Sequence, residues 1–304
     1  MFYPKGIITS MATSFRENGE LDLSGIIENI KFQKQAGIKT ICVLGGTGEA
    51  TSLTQEERHQ IMEATMSNSE GLHVVIGALA GRPSDVKADI SKAKELGADA
   101  CMVVATPFIR PSERDVEAFM IQLASLGQPL VLFNSPSRSG FSMSVSLISK
   151  LSKVEGIVGI KESSGDIILM HNVLQECKQP FGIVTGGDNL YFPSVALGAD
   201  GGLLATAAVL PEVCLALEDA ILHADLNKAR EYHCILHDLD FVMYKASHPV
   251  PLKFAMQFRG LPVGKCRPPF SNLDTKHEEE VYAVMRDISK KLKGKISLVS
   301  DYLF

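Results

Sequence analysis

Lys161 is the residue of this sequence best placed for covalent chemistry. It ends the apolar run GIVGIK at 156–161 and is followed at once by ESSGD, so a lone cation stands at the tip of a hydrophobic segment. In a buried strand, desolvation disfavours the ammonium form, lowers the pKa and frees the amine to attack a carbonyl carbon. A carbonyl carbon attacked in this way gives a Schiff base. The same position also suits a lysine that runs to the rim and pairs with Glu162 or Asp166.

Other polar groups end neighbouring apolar runs. GGTGE at 45–49 has no G-x-x-x-x-G-K, which argues against a nucleotide loop. Its backbone N–H groups, with the Thr47 hydroxyl, suit a small nest for a carboxylate, and its glycines equally suit a bare tight turn. FNSPSRSG at 133–140, which carries Ser135 and Arg138, ends another such run. GGDN at 186–189 offers Asp188 as a reader of a substrate hydroxyl, or as an exposed loop aspartate that only caps the next helix. His233 and His237, spaced i, i+4 with Asp240 further on, have metal-ligand spacing, but they flank the helical stripe Ala229, Tyr232, Leu236, Leu239 and Met243. That stripe puts them away from the strand ends, and no metal and no cofactor are expected. Neither G-x-S-x-G nor H-E-x-x-H occurs, so a hydrolase elbow and a zincin site are unsupported.

The elements that must carry these groups have a regular beat. GIITSMAT, KTICVLGG, HVVIGALAG, ACMVVAT, PLVLFN, GIVGIK, FGIVTGG and GGLLAT alternate with helical stretches at intervals of roughly 25 residues, the rhythm of βα units. Thr54 with Glu57 and Ser112 with Asp115 have capping-box spacing. QAGIKTICVL, ELGADACMVV and ALGADGGLLA each pass from a helix end through glycine into a strand, a weak internal repeat. Runs this uniformly apolar have no wet face, which favours a closed (β/α)8 TIM barrel over a doubly wound open sheet. Residues 1–224 are expected to form the barrel. Residues 225–304 are expected to form a C-terminal helical appendage, with helices near 225–243, 249–260 and 277–293. In a barrel of this kind the C-terminal strand ends, and so Thr47, Arg138, Lys161 and Asp188, share one mouth.

Bulk properties exclude other classes. The 304 residues carry a formal net charge of -5, without the basic excess that nucleic acid binding needs. The N-terminus has no continuous apolar segment of the secretory kind, and GGLLATAAVLPEVCLAL is broken by Pro211 and Glu212, so neither export nor a membrane is expected and the location expected is cytoplasmic. The six cysteines form no C-x-x-C pair, and most lie in apolar surroundings, as free thiols in a reducing compartment do.

In LGGTGEATSLTQEER, TPFIRPSERD, FNSPSRSG, GIKESSGD, GGDN, LGADGGLLAT, PLKFAMQFRGL and RPPFSNL, the chain resembles the dihydrodipicolinate synthase and N-acetylneuraminate lyase superfamily over nearly its whole length. The resemblance implies a class I aldolase or dehydratase in which Lys161 condenses with pyruvate or another 2-oxo acid. It implies that Gly46 and Thr47 hold the substrate carboxylate, that Arg138 positions the mouth and the second substrate's acidic group, and that the chain assembles as a homotetramer or dimer.

The resemblance also marks departures. A tyrosine that moves protons is the family residue at the position of Phe133, and a hydroxyl residue that at Gly46. The aromatic pair after the fourth strand is represented by Phe108 and Ile109, and the asparagine after the eighth is replaced near Ala207 and Ala208. A missing acid–base group costs about 10²–10⁴ in rate. These departures point to a lyase other than a true dihydrodipicolinate synthase, with Thr47, Ser135, a water or the substrate's carboxylate carrying protons. The alternative is a 2-oxo acid binding protein, or a near-inactive relative without efficient turnover.

Overall fold

The computed structural model describes residues 2–105, 109–177 and 179–292; Phe108 and the expected C-terminal end from 293 to 304 lie outside them. Eight parallel strands close into a barrel in chain order: β1 Gly6–Ser10, β2 Thr40–Val43, β3 His73–Ala78, β4 Ala100–Val104, β5 Leu130–Asn134, β6 Ile157–Glu162, β7 Gly182–Thr185 and β8 Gly201–Leu204. The pairing of β1 with β8, Ile7 opposite Gly202, completes the ring and leaves no open sheet edge. The eight apolar runs are therefore the eight strands. Their near-continuous burial follows from side chains filling the barrel on one face and helices covering the other.

The helices covering the barrel are α1 Leu23–Ala36, α2 Gln55–Asn68, α3 Pro83–Glu95, α4 Glu113–Ala124, the short α5 Pro136–Ser139 and α6 Val145–Leu151, α7 Ile167–Glu176, α8 Tyr191–Ala196 and α9 Pro211–Leu222. Their starts are set by local chemistry. Thr54 and Glu57 close a reciprocal capping box on α2, as Ser112 and Asp115 do on α4. Asp166 accepts from the backbone N–H groups of Ile168 and Leu169 at the head of α7, so its carboxylate serves the helix and not Lys161.

Three further helices follow: α10 Leu226–Met243, α11 Val250–Phe258 and α12 Thr275–Lys291. On α10 the stripe Ala229, Leu236, Leu239 and Met243 is buried against the barrel's helices as its spacing indicates. Two charged residues anchor this region to the loop after β2. Buried Lys253 of α11 lies 2.6 Å from the Glu49 carboxylate, and Arg267 pairs with Glu57 at the head of α2. The C-terminal helices therefore bear on the strand ends and not on the outer wall alone. Among the described residues no helix is long and apolar enough to cross a membrane.

Candidate active site

Register brings the first two groups together. Phe133 is paired with Lys161 across β5 and β6, so both side chains enter the barrel side by side, and the Lys161 amine lies 4.7 Å from the Phe133 ring centroid. Lys161 is 9% exposed. Burial holds its amine below the ordinary lysine range; the Arg138 guanidinium acts in the same direction, while Cys42 and Asp188 oppose. Neither candidate partner from its own segment reaches it. Glu162 accepts from Asn134 Nδ2 at 3.0 Å and the Ser164 backbone N–H at 2.8 Å, and Asp166 caps α7. Gly186 faces the lysine stem and Ser163, where a Cβ would collide with both. Any larger residue there would force the lysine stem and Ser163 to shift.

Thr47 enters from the loop after β2. Its hydroxyl accepts from Ser10 Oγ of β1 at 2.9 Å and lies 3.1 Å from His248 Nε2. Leu44 and Glu49, bracketing GGTG, both have positive φ (59° and 52°), an uncommon conformation for side-chain-bearing residues. Gly46 is exposed and Thr47 buried, and both line the mouth.

Lys161, Thr47, Phe133, Arg138, Gly46 and Asp188 all line one cavity of about 730 Å³ at the C-terminal strand ends. These six residues singled out from the sequence are thus in one place. Asp188 is not the exposed helix cap considered above. It is 5% exposed, and it accepts from the Thr206 hydroxyl at 2.6 Å, the Thr206 N–H at 2.7 Å and the Ala205 N–H at 3.3 Å, which ties the end of β7 to the turn after β8. Burial raises its carboxyl pKa, against the pull of those hydrogen bonds.

One expectation is corrected. His237 and Asp240 were set apart from the strand ends, yet both line the cavity, along with Phe241, Tyr244, Lys245 and His248. The buried stripe fixes which face of α10 meets the protein; residues at the edge of that face reach over the mouth, which the stripe alone cannot reveal. Asp240 is 6% exposed, and burial, reinforced by the Asp188 charge, pushes its carboxyl up to about 7. His233 stacks toward His237 with ring centroids 6.4 Å apart, but no group of three metal-ligating side chains occurs among the described residues. Ser10, Tyr244 and His248 are cavity residues the sequence reading missed. Spacing carried no signal for them, because they come from β1 and from the far end of the chain.

Comparison with known proteins agrees with this fold. A family model described as the dihydrodipicolinate synthetase family matches residues 3–288. A 4-hydroxy-tetrahydrodipicolinate synthase of Aquifex aeolicus is 31% identical over 95% of this chain and 99% of its own length. A crystal structure of a dihydrodipicolinate synthase from Bacillus anthracis superposes with a TM-score of 0.91 at 29% identity, covering 94% of this chain and 99% of that one. YagE, a prophage protein of the dihydrodipicolinic acid synthase family from E. coli K12 solved in complex with pyruvate, superposes with a TM-score of 0.90 at 26% identity over 94% of this chain and 98% of its own.

Proposed function

The chain belongs to the dihydrodipicolinate synthetase family, whose members are class I, lysine Schiff-base lyases, and on that premise we propose that Lys161 condenses with the ketone of pyruvate or a close 2-oxo acid. The observation that carries this reading is a buried amine at the end of β6, without an ion-pair partner among the described residues, its pKa lowered by burial and facing a cavity large enough for two small reactants. The backbone N–H groups of Gly46 and Thr47 take the carboxylate, and Arg138, exposed at the rim, takes an acidic group of the second reactant. The pyruvate bound by YagE supports the choice of donor. Borohydride added with pyruvate tests it: a reduced adduct is expected on the peptide containing Lys161, and labelling elsewhere, or none with any 2-oxo acid, overturns it.

The second reactant is a finer matter. Phe133 puts an aromatic ring without a hydroxyl beside the nucleophile, and this supports a proton path unlike the tyrosine-based one that the family resemblance implies. Phe133→Tyr restores a phenol at nearly the same volume. Because the Thr47 hydroxyl is already held by Ser10 and His248, the new phenol meets a relay with its bonds taken, and recovery is partial. A gain of about tenfold in pyruvate-adduct formation or generic aldol activity is expected, below the full worth of an acid–base residue. Loss of a native activity on Phe133→Tyr would instead show that the phenylalanine belongs to a specialised mechanism. A screen of aldehydes with pyruvate separates a lyase from a protein that binds a 2-oxo acid without turnover.

We also propose a homo-oligomer, dimer or tetramer. Leu222 and Leu226, at the turn between α9 and α10, are 76% and 51% exposed and form apolar surface that association would cover. Light scattering is expected to give a multiple of 32.9 kDa, and a monomer at micromolar concentration counts against it.

A further inference from the structure

His248 lies at the end of a hydrogen-bonded chain that starts on β1. Ser10 Oγ donates to Thr47 Oγ1 at 2.9 Å, and Thr47 Oγ1 lies 3.1 Å from His248 Nε2. With Nδ1 carrying the imidazole proton, the Thr47 hydroxyl is left to donate to the Nε2 lone pair. The imidazole is 9% exposed and stacks on Tyr244 at 5.1 Å between centroids and 9° between planes, which fixes its orientation. Its Nδ1 is buried without a hydrogen-bond partner among the described residues. A buried imidazole left half-satisfied is costly as a purely structural part, because an orphaned polar atom forfeits its hydration.

We propose that His248 is the proton store of this site, exchanging a proton with the substrate through Thr47 and so taking over the work that Phe133 cannot do. The proposal rests on the Schiff-base reading above. In the iminium on Lys161, the C3–H electron pair becomes the C2–C3 π bond and the C2–N π pair returns to nitrogen, giving a neutral enamine. The C3 proton goes to Thr47 Oγ1 as the Thr47 hydroxyl proton passes to His248 Nε2. When the enamine adds to an aldehyde, its C3 electron pair forms the new carbon–carbon bond and the iminium re-forms. The imidazolium then returns its proton through Thr47 to the new alkoxide. One proton leaves carbon and one reaches oxygen, so no outside acid or base is consumed.

The electrostatics fit this order of events. Burial, and then the positive charges of Arg138 and Lys161, push His248 down to about 3, so the ring is a neutral acceptor at pH 7. Enamine formation abolishes the iminium charge, and a bound carboxylate adds a negative one. The imidazolium therefore forms at the stage when the surrounding positive charge has fallen.

The test follows the methyl protons of pyruvate by proton NMR in deuterium oxide, with borohydride trapping run alongside. The unaltered protein is expected to exchange the methyl protons for deuterium. His248→Gln should lower the exchange rate about 10²-fold, while trapping on Lys161 falls far less. His248→Ala should regain part of the exchange when free imidazole is added. Exchange at the unaltered rate in His248→Gln overturns the proposal. So does an equal fall of trapping and exchange with no rescue by imidazole, the behaviour of a merely structural histidine. An adduct without methyl exchange in the unaltered protein overturns the proposal and leaves the Schiff-base reading standing, whereas absence of any adduct overturns both.

Discussion

Lys161→Ala should fold and lose its chemistry. The alanine removes the only group at the cavity floor proposed to bond covalently to substrate, so the borohydride adduct should vanish and turnover should fall on the order of 10⁴–10⁶-fold. Lys161→Arg should be equally dead, since a guanidinium stays protonated and cannot add to a ketone. Intact circular dichroism in both variants separates lost chemistry from lost structure. The pH dependence has a definite sign. The amine is the reactive form, and burial holds its pKa below that of a free lysine, so trapping should rise with pH through that lowered value and fade below it. Stability has the same sign: the unfolded chain holds the Lys161 proton up to its ordinary pKa of about 10.4, and the folded chain releases it at lower pH. Between the two values stability should therefore climb with pH in the unaltered protein and climb less in Lys161→Ala. A Lys161→Ala protein that still traps pyruvate would end the Schiff-base reading.

The barrel was legible because its cause is local. Each strand is a short apolar run closed by glycine or polar residues, and eight of them in rhythm leave few alternatives to a closed ring. Lys161, Thr47, Arg138 and Asp188 were found for the same reason, since barrel geometry delivers every strand end to one mouth. What the sequence hid was long-range. His248 sits in a proline-punctuated segment with no motif of its own, and it becomes a site residue only because Thr47, 201 positions earlier, points at it. Asp240 looked like the flank of a core stripe, and it is one. Helix periodicity tells which residues face inward and is silent on which of them overhang a cavity. Asp188 read as a substrate ligand or a cap, and its three hydrogen bonds to Ala205 and Thr206 show a third role, a tie between neighbouring strand ends.

The same long-range logic makes Lys253→Met a strongly destabilising change outside the cavity. Lys253 and Glu49 are 2% and 0% exposed at their side chains and lie 2.6 Å apart. The lysine amine also donates to the Lys265 carbonyl at 3.2 Å and sits 4.4 Å from the Phe15 ring centroid, while the second Glu49 oxygen accepts from the Arg267 backbone N–H at 3.0 Å. Methionine fills the stem's volume but leaves the carboxylate buried without its cation, a loss of about 3–5 kcal/mol. Urea denaturation should show it as a lower midpoint with an unchanged slope. Glu49 ends the GGTGE turn at a φ of 52°, so a carboxylate seeking water should also pull Gly46 and Thr47 away from the substrate carboxylate. Pyruvate affinity should then fall more than the residual rate at saturation. Glu49→Gln combined with Lys253→Met removes the stranded charge and should recover much of the stability, because the cost lies in the unpaired ion and not in the absence of a pair. If Lys253→Met alone unfolds within about 1 kcal/mol of the unaltered protein, the buried pair is not what holds the loop, and the C-terminal helices secure the mouth by apolar packing instead.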